Sequence, residues 1–227
     1  MSKSLKQKNQ PQIITFLVIN ACIPFAVLLG PSTVLRFIGE AGKGDFALLG
    51  KLVAAPATLY LLVGIIGWSL PRTWKETLVF WRVGATCLPS SRAFTELAAK
   101  DSRINLDRLR NRFGKFPKEA SKQTALWYGI YRKHCGEAPV EDANGAYLRY
   151  REMTTLLLLL VLATLILAFW RGIPWTKSIL SYELFVAEYV LVTQAARNAA
   201  GSLVNNVLAL ESSVESHTAI VGNGLSR

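Results

Sequence analysis

The apolar and polar positions of this chain fall into long blocks, not short alternating faces. Apolar residues fill 13–30, 48–70, 153–170 and 179–196 with few interruptions. Crossing roughly 30 Å of hydrocarbon takes about 20 mostly apolar residues, and each block approaches that length. The first is broken only by Thr15, Asn20 and Pro24, and the third contains five consecutive leucines, Leu156 to Leu160. The pattern predicts an all-α integral membrane protein with four transmembrane helices, paired as hairpins over 13–70 and 153–196. The polar start, residues 1–12, carries Lys3, Lys6 and Lys8 and no acid. A secretory signal also begins this way, but the run that follows is longer than a signal core and lacks a small-residue cleavage site, so it reads as an uncleaved span.

Between the hairpins lies the one substantial polar segment, 71–152, with 16 Lys and Arg against 9 Asp and Glu. Its periodicity predicts several helices. Over 73–83, Trp74, Leu78 and Trp81 recur at i, i+4 and i+7 beside Arg72, Lys75 and Arg82, the pattern of a basic helix lying on a membrane surface. Ser90 or Ser91 is placed to cap a short helix reaching Lys100. A basic helix over 105–113 ends at Gly114, and Pro117 suits the first turn of the next, 118–134. That helix carries an apolar stripe of Leu126, Trp127, Ile130 and Tyr131. Another helix starts near 140, runs without a break into the third span, and pairs with 118–134 as an antiparallel hairpin. Beyond the fourth span, 197–227 is expected to hold an Ala- and Asn-rich helix and then a polar tail.

Charge sets the orientation. The chain carries +11 overall, which points to an anionic partner. Lys and Arg near span ends accumulate on the cytoplasmic side. Lys3, Lys6, Lys8, Arg72, Lys75, Arg82, Arg149, Arg151 and Arg197 fall on one side, against Arg36, Lys43, Arg171 and Lys177 on the other. Both termini and the insert are therefore expected in the cytoplasm. In outline the layout resembles many small bacterial inner-membrane proteins, a likeness that carries no function.

Three widely spaced cysteines, Cys22, Cys87 and Cys135, suggest neither a disulfide framework nor a zinc site. No phosphate-cradling glycine loop, nucleophile elbow, H-E-x-x-H pair or calcium loop occurs. The stretch Gly39-Glu40-Ala41-Gly42-Lys43-Gly44 follows no strand and reads as a turn. The expectation is a non-enzymatic chain that needs no cofactor or metal.

The intramembrane polar residues Glu183, Glu188 and Asn20 are the sharpest candidates for chemistry, because a charge at mid-bilayer costs about 3 kcal/mol on insertion scales. They could form a proton or cation site, or Glu188 could simply be protonated and bonded to Asn20 or Thr193. Glu183 and Glu188 lie about 140° apart around a helix, which favours the simpler reading.

In the insert, Arg108, Arg112 and Lys115, with Arg72, Lys75 and Arg82, are candidate contacts to lipid headgroups or phosphates. A run from Arg103 to Lys122 with Phe113 and Phe116 interleaved is compatible with nucleic acid. A membrane-tethered segment meets lipid at high effective concentration, however, so lipid is the expected partner and nucleic acid is not. Trp127, Tyr128 and Tyr131 are the candidate surface for a protein partner. The resulting expectation is a membrane sensor, scaffold or effector, with a small ion- or proton-coupled transporter or channel as the alternative. A bundle of four short spans is small for a private pathway, which leaves room for a homo-oligomer.

Overall fold

The computed structural model describes residues 5–29, 39, 46–170, 172 and 175–214. The outer turn 40–45, the Arg171 position and the tail beyond Val214 lie outside them. The described residues are helical, and no strand occurs among them. Seven helices of eight residues or more follow in order: α1 Leu5–Leu29, α2 Phe46–Ser69, α3 Arg72–Phe80, α4 Leu106–Phe113, α5 Ala120–His134, α6 Ala138–Trp170 and α7 Trp175–Ser213. The chain divides into two compact units. One comprises 1–75 with 149–194, the other 76–148 with 195–227.

In the first unit, α1 begins eight residues before its apolar block. The Lys and Gln residues of its start are good helix formers, and Asn9 in that turn is buried. Ile13 and Leu17 of α1, Val63 of α2, and Met153, Leu156 and Leu160 of α6 form the unit's buried cluster, with Val192 of α7 packed against it. Gly67 makes the α2–α6 approach close: a Cβ there would sit 2.5 Å from Leu156 Cδ2. Such small residues let helix backbones approach each other. Among the described residues one helix, α6, is long and apolar enough to cross a membrane, with a mean hydropathy of 2.5 over its best window; Ala57–Ser69 is a shorter apolar stretch.

The second unit is built around Trp127 and Ile130 of α5, Val140 of α6, Leu109 of α4, and Leu203, Val204, Val207 and Leu208 of α7. The pairing of α5 with the start of α6 is thus only part of its core. The last third of α7, expected as an appendage after the fourth span, supplies four of its buried aliphatic side chains.

Local signals hold in some places and not in others. Asn105 caps α4, its Oδ1 accepting from Arg108 N–H at 3.0 Å, and Gly114 ends that helix with φ of +73°, a conformation that suits glycine. The expected Ser90 or Ser91 cap is corrected. The 3₁₀ turn Pro89–Arg92 begins at the proline, and Ser91 Oγ donates back to Leu88 O at 2.7 Å. Pro117 does not open α5 either, since the helix starts three residues later at Ala120. Between the 3₁₀ turn and Lys100, Ala93–Leu97 takes a π-helical register. The Phe94 amide there donates instead to Gln123 Oε1 at 3.1 Å, and Gln123 Nε2 donates to Lys118 O at 3.3 Å. Gln123 is a buried polar tie between this irregular run and α5.

Candidate functional site

In the first unit, the expected meeting of Asn20 and Glu188 is present. Asn20 Nδ2 donates to Glu188 Oε1 at 3.1 Å and to Phe16 O at 3.1 Å. Asn20 is buried and Glu188 half-buried, while Glu183 is exposed and takes no part in this contact. Two buried oxygens of this unit, Asn20 Oδ1 and Thr193 Oγ1, have no hydrogen-bond partner. By contrast, Thr154, Thr155 and Thr164 return their hydroxyls to the carbonyls of Tyr150, Arg151 and Leu160 at 2.9–3.0 Å, the usual way a helix satisfies a hydroxyl in apolar surroundings.

The candidate headgroup cations separate. Lys75 is corrected: its ammonium turns inward, 8% exposed, and donates to Glu152 at 2.6 Å. A buried carboxylate demands a cation, and that demand outweighs the amphipathic pattern that placed Lys75 outward. Arg72 is exposed at the start of α3. Arg112 is engaged, with Nη1 3.2 Å from Glu211 Oε1, and Arg108 donates to Ser212 O at 3.3 Å. Arg82 and Lys115 are exposed.

The aromatic trio separates as well. Trp127 is 8% exposed, belongs to the core, and its indole N–H donates to Val204 O at 3.4 Å. A surface role for it is therefore corrected: the stripe that carries Ile130 into the core carries Trp127 with it. Tyr131 is half-buried, stacks on Trp127 and accepts from Asn144 at 3.2 Å; only Tyr128 is exposed.

A polar centre that the sequence did not reveal sits at the end of α7. The Glu211 carboxylate, 1% exposed, meets Lys133 Nζ at 3.3 Å, Arg112 Nη1 at 3.2 Å and His134 Nε2 at 2.5 Å. Burial pushes its pKa up, but the His134 hydrogen bond and the Arg112 and Lys133 charges outweigh burial and hold it below the ordinary glutamate value. Its partners come from α4 and α5, some 80 to 100 residues away in sequence, and no local spacing announces them. A pair on the surface behaves in the same direction. Arg103 grips Asp101 through Nε at 3.0 Å and Nη2 at 2.7 Å, and the Asp101 pKa falls to about 2.

Among the described residues no three His, Cys, Asp or Glu side chains are placed to hold a metal ion. Burial, with Glu76 adding to it, pushes the Cys87 thiol up, away from the thiolate that nucleophilic chemistry needs. Cys22 and Cys135 are exposed free thiols. No family model, curated protein or solved structure matches this chain.

Proposed function

We propose that this chain is a non-enzymatic membrane protein whose basic helical module, the second unit, docks on anionic lipid at the cytoplasmic face and so acts as a sensor or scaffold for a protein partner. The observation that carries the reading is the charge left over on that unit. Its most deeply buried carboxylate, Glu211, is consumed internally, while Arg82, Lys100, Lys115 and Lys118 are exposed cations with no carboxylate partner among the described residues. Each such residue near an anionic surface contributes about 1 kcal/mol.

In the proposed topology, 13–30, 48–70, 153–170 and 179–196 all span the bilayer, with both termini and the module inside. The large apolar residues that all four helices turn outward support this: Ile19 on α1, Ile65 on α2, Phe169 on α6 and Leu191 on α7. Exposed apolar area of this extent calls for a covering phase. Single cysteines at Ser121, Lys177 and Ser213, on a variant lacking the native three, test the layout in intact cells. Labelling from outside at Lys177 alone fits four spans. Labelling of Ser121 from outside overturns the cytoplasmic module. Docking is read from protection of Lys115 and Lys118 against an amine reagent in nanodiscs. Protection that requires anionic lipid and disappears at high salt is the expected result, and equal reactivity in neutral and anionic discs refutes docking.

The second reading, an ion- or proton-coupled transporter, rests on the Asn20–Glu188 bond and the unpartnered Asn20 and Thr193 oxygens beside apolar helices. It requires Glu188→Gln to abolish flux in proteoliposomes while the fold survives. Proton or cation flux absent from the unmodified protein removes this reading.

A further inference from the structure

A small cleft on the second unit is walled by Phe80, Pro89 and Leu97 and carries three arginines, Arg82, Arg92 and Arg197, on its lining. No carboxylate lines it. We propose that this cleft is a binding site for one phosphate monoester group, carried either by a lipid headgroup or by a small soluble molecule. It goes beyond the docking of a diffuse basic face. A face acts through many interchangeable charges, whereas this site depends on three named arginines that line one cavity.

Two of the arginines are held in place yet have donors left to give, and the third, Arg82, is exposed. Arg197 donates Nε–H to Val79 O at 2.7 Å and lies over the Trp81 ring, 4.2 Å from its centroid. That bond uses one of five donors and leaves the terminal nitrogens for a ligand. Arg92 commits Nη1 to Glu96 at 3.1 Å on the exposed side, while its buried Nε has no hydrogen-bond partner. Trp81 takes φ of +53°, a left-handed conformation that a bulky residue rarely adopts, and it does so where the chain leaves α3 and its ring meets Arg197. Strain of this kind gathers where a ligand is clamped.

Charge and size select the ligand class. Three arginines on the lining of one cavity concentrate positive charge there, and apolar walls strengthen its attraction for an anion. A monoester dianion offers three oxygens to planar donor forks, the geometry in which arginine excels. The cavity holds about 220 Å³, below the roughly 300–1,000 Å³ of sites for drug-sized ligands. A phosphate with a short substituent suits it, and a nucleotide does not.

Gly201 gives a direct test. It lines the cleft from within α7, and a Cβ there would meet nothing within 4 Å. Gly201→Leu therefore fills the cavity and replaces a poor helix former by a good one, so the fold survives. The full chain is placed in phosphatidylcholine nanodiscs and titrated with glycerol phosphate by calorimetry. The lipid source is read in discs containing phosphatidic acid, from the phosphorus resonance of that lipid. We expect saturable binding of one phosphate per chain, weakened about tenfold or more by Gly201→Leu and by Arg197→Gln. Saturation by glycerol phosphate in neutral discs identifies a soluble ligand. A response confined to phosphatidic acid identifies a headgroup. If Arg197→Gln fails to fold, Gly201→Leu decides. Binding indifferent to Gly201→Leu, or no saturable binding of either compound, overturns the cleft. The diffuse docking reading is judged separately by Lys115→Gln with Lys118→Gln in the amine-protection experiment, which the cleft variants leave unchanged.

Discussion

The two units of this protein each bury an apolar cluster but differ in what they turn outward. The first packs Asn20, Thr154, Thr155, Thr164 and Thr193 inside and turns large apolar side chains outward, Phe169 to 89% exposure. The second gathers aliphatic residues around Trp127 and carries many exposed Lys and Arg on its surface. Hydrophobic burial from water explains the second arrangement. On the proposed membrane reading, packing, small residues such as Gly67 and internal hydrogen bonds hold the helices of the first unit together. If the first unit sits in a bilayer as proposed, similar substitutions in the two units should have different consequences.

The largest effect is expected in the water-type core. Trp127→Ala removes a buried indole and its bond to Val204, and should cost about 4 kcal/mol of stability in denaturant unfolding of the second unit. Tyr128→Ala, one residue along and exposed, should change it by less than about 0.5 kcal/mol. Equal, small effects would mean that Trp127 is a surface residue after all.

A lysine on the outward face of the first unit comes next. Val186→Lys, on an exposed position of the fourth apolar stretch, should cost about 3 kcal/mol of insertion free energy, measured as a fall in the inserted fraction in microsomes. An unchanged fraction would show that this face meets water, and the contrast between the units would vanish there.

Glu211→Ala should cost about 2 kcal/mol. Arg112 and Lys133 are partly exposed and recover hydration, which keeps the loss below that of a fully buried pair. Restoring stability by changing His134 to Leu in the same chain would show that the pair mattered through the unpaired imidazole. No loss in the single variant would demote this centre to a surface feature.

The smallest effect is in acid. The Asp101 pKa is lowered from 3.8 to about 2 and that of Glu211 is lowered from 4.5. A depressed carboxylate pKa stabilises the fold above its unfolded value, and the contribution is lost as pH falls through the folded value. Stability of the second unit should therefore decline from about pH 4.5 toward pH 2, and Asp101→Asn should flatten the lower part of that decline. A decline of unchanged shape would remove Asp101 as a contributor.

Much of the layout was legible in the sequence because it rests on local patterns. The Leu156–Leu160 run, the Gly114 stop and the unbroken passage from the insert into the third apolar block each depend on a few neighbouring residues. The contact of Glu188 with Asn20, one of two partners expected with Thr193, was legible for another reason: a polar group in an apolar block needs a polar partner and few exist. The misplaced residues share a different cause. Lys75 and Trp127 both sit on amphipathic helices, and periodicity identifies a stripe without saying what covers it. Glu152 lies 77 residues beyond Lys75, and Val204 lies 77 beyond Trp127. Gln123 looked like any polar residue on a helix until the π-helical stretch at Ala93–Leu97 left an amide for it to bind.

By itself, then, the sequence determined that the chain is helical, where its apolar blocks lie and how its charge is distributed, because backbone hydrogen bonding and hydrophobic period are properties of short windows. The tertiary structure decided that the end of α7 completes the core of the insert, that Glu211 draws together Arg112, Lys133 and His134, and that Arg82, Arg92 and Arg197 share one cleft. Each of these joins residues far apart in the chain, and only packing a specific set of helices against one another brings them within the few ångströms over which charge and hydrogen bonding act.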